Sequence, residues 1–238
     1  MKTKILIGIV FFFLLTIQNY LSAQELDFGF KGGINAAYFQ GEYLFSDEDV
    51  MLELESKLST RFSIGGLTRY NFSDYISIQV ELLYTTRGVR FNEDVEIRNQ
   101  ILRLDGDVTL TYIEIPLFFR MSTTLPDRGT LFYQKPGFTY NAYAGGSFAY
   151  KTNAKFSGNL RGDIFGVDFG ESFSNRVWDQ FAETDISFIM GAGFEYGVST
   201  RFTFDVRYAM SLLDIGKDPL FTGDIRNGMV SVMMGIVF

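Results

Sequence analysis

Between Tyr75 and Arg90 the chain reads YISIQVELLYTTRGVR, and apolar and polar residues alternate along it almost without exception. Ile76, Ile78, Val80, Leu82 and Tyr84 fall on one side; Ser77, Gln79, Glu81, Thr85 and Arg87 fall on the other, where Leu83 is the one apolar intruder. A period of two is a β-strand with two chemically different faces. Strands in soluble proteins are commonly about 5–6 residues long, whereas a strand that crosses a bilayer at a tilt needs about 9–11. A segment this long and this regular requires either lipid or a protein core against its apolar row.

The same pattern recurs along the chain and predicts eight strands. They are Asp27–Phe39, Arg61–Phe72, the stretch from Tyr75, Val108–Arg120, Phe138–Lys151, Asp185–Tyr196, Arg201–Leu212 and Asn227–Phe238. Pro116 lacks a ladder donor, so a local bulge is expected there. The connections run long, tight, long, medium, long, tight, long. Ser73-Asp74 and Ser199-Thr200 make the tight turns; an acidic loop with Asp47, Glu48 and Asp49, the charged stretch Phe91–Asp107 and the segment 152–184 are the long ones. In an antiparallel meander this sorts long loops to one end and short turns to the other, the pattern of an outer-membrane barrel. Eight strands is a size whose interior is filled by side chains.

At 238 residues, with no linker-like or low-complexity segment, the chain reads as one domain. Lys2, Lys4, the apolar run Ile5–Ile17 and Leu21-Ser22-Ala23 predict an export signal over residues 1–23, followed by a barrel domain over 24–238. No later segment is apolar for long enough to be a transmembrane helix, so entry into a membrane would have to be as a closed barrel. The chain has no Cys, which excludes disulfides, thiolate metal sites and cysteine nucleophiles. It also has no His, which removes a Ser-His-Asp triad, a His base and an ordinary zinc site. No catalytic residue, metal or cofactor is expected. A formal net charge of −7 argues against a nucleic-acid partner.

Alternation alone leaves two arrangements open, since a secreted lipocalin-like barrel buries its apolar row inward. The polar row carries Lys31, Arg69, Glu81, Arg87, Glu114, Arg120, Glu195, Asp205 and Arg207 among small residues, with signs nearly balanced. Balanced signs and recurring glycines suit a narrow, desolvated lumen with a structural polar network. The apolar row places Tyr70, Phe119, Phe138, Tyr140, Tyr196, Phe202 and Phe238 near the tight turns, and Tyr38, Phe62, Tyr84, Phe148 and Phe188 near the long loops. Two aromatic bands around an aliphatic middle are what bilayer interfaces select, so the apolar row is expected to face lipid.

The segments FGFKGGIN, QVELLYTTRGV, LTYIEIPLFFR, MGAGFEYG and DVRYAMSLLDI, with the closing strand to Phe238, resemble the outer membrane protein beta-barrel family of PorT type. The resemblance runs through nearly the whole chain after the signal and implies an eight-stranded barrel in the outer membrane of a Gram-negative bacterium. It implies insertion by the barrel assembly machinery, with the terminal Phe238 as the signal that is read. The founding member's link to secretion suggests a role in secretion or envelope assembly.

Glu81 and Glu114 are expected on adjacent strands facing the same way. Such a pair suits acid/base chemistry or a lumen network neutralised by Arg69, Arg120 and Arg207, and the network is preferred. The acidic cluster at Asp47 lacks calcium-loop spacing. Outer-membrane barrel enzymes place a His in the site, and this chain has none. The expected function is therefore non-enzymatic: external loops displayed to a partner protein or envelope polymer, with a purely structural barrel as the alternative. Ile78→Arg is expected to be costly, and Gln79→Arg to be tolerated.

Overall fold

The computed structural model describes residues 26–41, 44–47, 50–53, 56–97, 100–123, 136–164, 167–217 and 224–238. The export signal, Glu48 and Asp49 lie outside them. The strands are β1 (Leu26–Gln40), β2 (Leu44–Asp47), β3 (Val50–Glu53), β4 (Ser59–Asn71), β5 (Ile76–Ile97), β6 (Gln100–Ser122), β7 (Gly137–Ile164), β8 (Val167–Arg176), β9 (Thr184–Gly197), β10 (Arg201–Ser211) and β11 (Arg226–Val237). The ladder runs β1-β4-β5-β6-β7-β9-β10-β11 and returns to β1, so the sheet closes into an all-β antiparallel ring. Closure leaves the ring no unpaired edge, which a bilayer demands. Among the described residues β8 pairs with β7 alone, and β2–β3 form a separate hairpin.

The polar row faces in. In β5, Ser77, Gln79, Glu81, Leu83, Thr85 and Arg87 are buried, whereas Val80, Leu82 and Tyr84 are exposed. The same holds in β10, where Arg201, Asp205 and Arg207 are buried and Phe202 and Val206 are exposed. A soluble barrel has the reverse arrangement. The exposed side carries rings in contact, Phe138–Tyr196 at 4.9 Å and Phe62–Tyr84 at 5.9 Å between centroids, at opposite ends of the strands.

Four expectations need correction. The stretches Phe91–Asp107 and 152–184 are largely strand: β5 and β6 pair as far as Ile97↔Gln100, and β7 and β8 as far as Ile164↔Val167. Dense charge and glycine hid these strands, because alternation marks a strand only where one face is dry. The acidic connection after β1 likewise contains the β2–β3 hairpin.

Pro116 makes no bulge. Val80↔Leu117 and Leu83↔Glu114 keep one register on both sides of it; the pairing skips the residues opposite because proline has no N–H to give. The extra residue sits in β7 instead. Thr111 pairs with Asn153 and Tyr112 with Lys151, leaving Thr152 unpaired with its hydroxyl donated to the Thr111 carbonyl at 3.2 Å. One inserted residue exchanges the two faces of the strand beyond it. Ala149 and Lys151 point inward below the bulge, and Ala154 does above it.

Candidate functional site: a filled lumen and the blade above it

The inward row stacks into three charged layers. At the tight-turn end Glu195 Oε1 accepts from Arg69 at 2.6 Å and forms an ion pair with Arg120 at 2.6 Å, while Arg201 holds Asp27 at 2.6 Å. Gln79 lies beside them, accepting from Arg69 Nε at 3.0 Å and donating to Glu81 at 2.6 Å. The middle layer joins Lys31 to Asp205 at 2.8 Å and to Glu81 at 3.2 Å, and Arg207 to Glu81 at 2.8 Å and to Asp205 at 3.0 Å. The Arg207 guanidinium also lies over the rings of Phe118 and Tyr143. In the third layer Arg87 binds Glu114 at 2.7 Å and Asp185 at 2.8 Å, with Asn227 and Ser211 donating to Asp185.

The layers hold, in order, three cations with two carboxylates, two with two, and one with two. The six cations therefore match the six carboxylates across the lumen. Desolvated charge is retained only when neutralised and hydrogen-bonded. All nine residues singled out in the sequence, Lys31, Arg69, Glu81, Arg87, Glu114, Arg120, Glu195, Asp205 and Arg207, lie in these layers. Glu81 and Glu114 separate into two of them. Arg69 and Arg120 hold Glu195, so of the three neutralising arginines expected for the glutamate pair only Arg207 contacts it. Asp27, Asp185 and Arg201 were missed as members. Each is an odd-numbered position of an odd-inward strand and the first residue of a predicted strand, so parity alone puts them on the inward row. Phe238 is exposed beside β1, where its backbone exchanges hydrogen bonds with Phe28 at 2.7 and 3.3 Å.

Space in the lumen is shared between large and absent side chains. A Cβ on Gly191 would stand 2.5 Å from the Tyr143 ring carbon Cζ, because Tyr143 lies across its Cα partner Gly191 to donate its hydroxyl to Asp205. Gly191→Val should therefore displace Tyr143 and cost about 1–3 kcal/mol, the range for overpacking, read as a lowered urea midpoint in detergent micelles.

Above the charged layers the lumen ends in a dry cap. Phe39, Val89, Phe91, Leu110, Tyr112, Val177, Phe181, Ile215 and Ile225 form one buried cluster. Lys151 pins it, donating to the carbonyls of Trp178 (2.6 Å) and Phe181 with its ammonium 4.6 Å from the centre of the Trp178 ring.

Beyond this cap β5, β6, β7 and β8 continue as a blade. One row of Cα partners runs across all four strands, Arg90↔Asp107↔Ser157↔Ser174, and the next runs Asn92↔Asp105↔Asn159↔Ser172. Arg61 reaches Asp107 from β4 at 2.7 Å. Between them the backbone of β5 turns to positive φ at Gly88 (+135°), where an added Cβ would meet the Val108 carbonyl at 1.9 Å.

Solved structures to which the chain is similar include three outer-membrane proteins. Ail, the attachment invasion locus protein of Yersinia pestis, is 16% identical over 90% of this chain and 99% of its own, with a TM-score of 0.39. OprG from Pseudomonas aeruginosa is 14% identical over 89% and 94%, with a TM-score of 0.46. The protease OmpT from Escherichia coli is 11% identical over 92% and 98%, with a TM-score of 0.37. No curated protein matches by sequence. The family model for the outer membrane protein beta-barrel domain matches residues 22–216. With an inward charged row, an outward apolar row and a closed antiparallel ring, the chain belongs to the outer membrane protein beta-barrel domain family and resides in the bacterial outer membrane.

Proposed function

We propose that this protein is a non-enzymatic platform in which eight strands span the outer membrane and the β5–β8 blade is held outside the cell for a partner in the envelope or beyond it. The observation that carries the reading is the blade itself. Pairing continues from Arg87↔Leu110 to Ile97↔Gln100 and from Lys155↔Arg176 to Ile164↔Val167, so these external segments are hydrogen-bonded sheet. Rigid, pre-ordered segments lose little entropy on binding. Placing the tight turns in the periplasm follows the usual loop asymmetry of such barrels.

The absence of catalysis is part of the proposal. Glu81 and Glu114, the carboxylates best placed for acid/base work, are each tied to cations, and the lumen that holds them is packed. A role linked to secretion or envelope assembly fits a platform; a barrel that only stabilises the membrane is the competing reading.

Shortening the blade separates the two. Removing 158–173 and joining Ser157 to Ser174 through Asn-Gly keeps the Lys155↔Arg176 pair, Val177 and Phe181, and hence the cap. The barrel should stay heat-modifiable on gels while cross-linked species formed by the blade in intact cells disappear. Unchanged cross-links together with a leakier envelope would favour the structural reading.

A further inference from the structure

The Thr152 bulge has a consequence for charge. Above it the odd-numbered residues of β7 turn outward and continue the lipid-facing surface upward, and the outward positions of β6 and β8 carry on beside them. On that surface Lys155 is the direct cross-strand partner of Arg176, and Arg103 that of Arg161. All four are exposed. Like charges directly opposite each other in a sheet, about 4.5–5.5 Å apart at Cβ, destabilise it. Among the described residues no ion pair relieves Lys155 and Arg176; Arg103 has Asp94 as its other strand neighbour.

Between the two cation pairs lies an open groove of about 360 Å³. Its outward side chains are Arg90, Asp105, Asp107, Ser157, Asn159 and Ser172. This mixture of donors and acceptors suits sugar hydroxyls. Lys155 and Arg161 are six residues apart on β7, about 20 Å along the strand. Lys155 follows the exposed Tyr150, itself two residues beyond Phe148 of the long-loop aromatic band, by five residues, which puts it above the hydrocarbon boundary, at headgroup height.

We propose that the outward face of the blade binds the phosphorylated-sugar headgroup of an outer-leaflet glycolipid. Phosphates bridge Lys155 with Arg176 and approach the Arg103–Arg161 pair, while the sugar lies in the groove between them. The anion removes the like-charge repulsion built into both pairs, and a lipid moored there holds the blade upright against the membrane. This rests on the reading that the blade is external.

The test uses the refolded full-length barrel in neutral detergent, titrated by calorimetry with diphosphoryl lipid A, the same lipid without its phosphates, inorganic phosphate and a soluble sulfated oligosaccharide. Diphosphoryl lipid A should bind saturably and more weakly as salt rises. Lys155→Gln with Arg176→Gln should weaken it about 30-fold, at the contribution expected for two surface cations. Arg226→Gln, at an exposed cation on β11, should leave binding unchanged. The unliganded double variant should be no less stable than the parent, because it loses a repulsion.

Equal binding of the dephosphorylated lipid, or an unaffected double variant, overturns the proposal. So does inorganic phosphate binding as well as the lipid, or tighter binding of the sulfated oligosaccharide, which would point to an acidic polymer. Orientation is read separately. Ser174→Cys introduces a unique thiol, and its labelling by an impermeant maleimide in intact cells reports an external blade. Labelling without lipid binding overturns the headgroup site alone; absence of labelling overturns the platform reading as well.

Discussion

Glu195→Gln should destabilise the barrel by about 3–5 kcal/mol, the cost of leaving buried charges without their partner. Glu195 is the carboxylate on which Arg69 and Arg120 converge, each at 2.6 Å, with Arg201 at 3.7 Å from its other oxygen. The neutral amide keeps the size of the side chain but leaves three guanidiniums facing Asp27 as the one remaining carboxylate in their layer. The loss is read as a shift in the urea unfolding midpoint of the barrel in lipid vesicles. A second substitution tests the cause. Arg120 binds Glu195 and otherwise meets Gln79 at 3.4 Å, so Arg120→Gln in the Glu195→Gln background should recover part of the loss. The coupling in that double-mutant cycle measures the pair itself. A cost under about 1 kcal/mol, or a double variant worse than the sum of the singles, would mean that water enters this layer and solvates it.

What could be read from the sequence was whatever the bilayer forces on the chain. Lipid requires an unbroken apolar row, so β10 is legible from Arg201 to Leu212, and the observed strand ends within one residue of that. The inward partners of those rows could be named because parity leaves them no other place. Above the membrane that constraint lapses. Arg103, Asp105 and Asp107 alternate with a partly buried Leu104 and with Gly106, too few large apolar side chains to mark a dry face, and the glycines of β7 interrupt the apolar side, so a paired sheet reads as a charged loop. Thr152 was invisible for a different reason. A bulge is a relation between two strands, and its effect on the direction of Lys155 exists only in the paired register. The pairing inside the lumen was hidden in the same way. Parity places Glu195 and Arg69 on one face, but the shear of the ring decides that they meet across 126 residues of sequence.

Val80→Arg should cost about 2–4 kcal/mol and Ile76→Arg, on the same face of the same strand, about 0–1 kcal/mol. The apolar row of β5 runs from Ile76 to Tyr84, and its middle member, Val80, faces outward with 41% of its surface exposed. At the bilayer midplane a guanidinium there has no water within reach, whereas Ile76, opposite Met121 at the tight-turn end, can extend a cation into the headgroups. Gln79, which the sequence recommends as the tolerant neighbour, cannot serve as the control. Its side chain lies beside Arg69 and Arg120, and a further guanidinium there would add a fourth cation to that layer. The informative contrast is therefore depth along one face. Unfolding free energies of both variants in vesicles, measured against the parent, give that depth profile directly. If the two arginines cost the same, the outward row does not lie across a bilayer in the register assigned here. If neither costs anything, it meets water, and the aromatic bands would have to be explained as the surface of a soluble barrel.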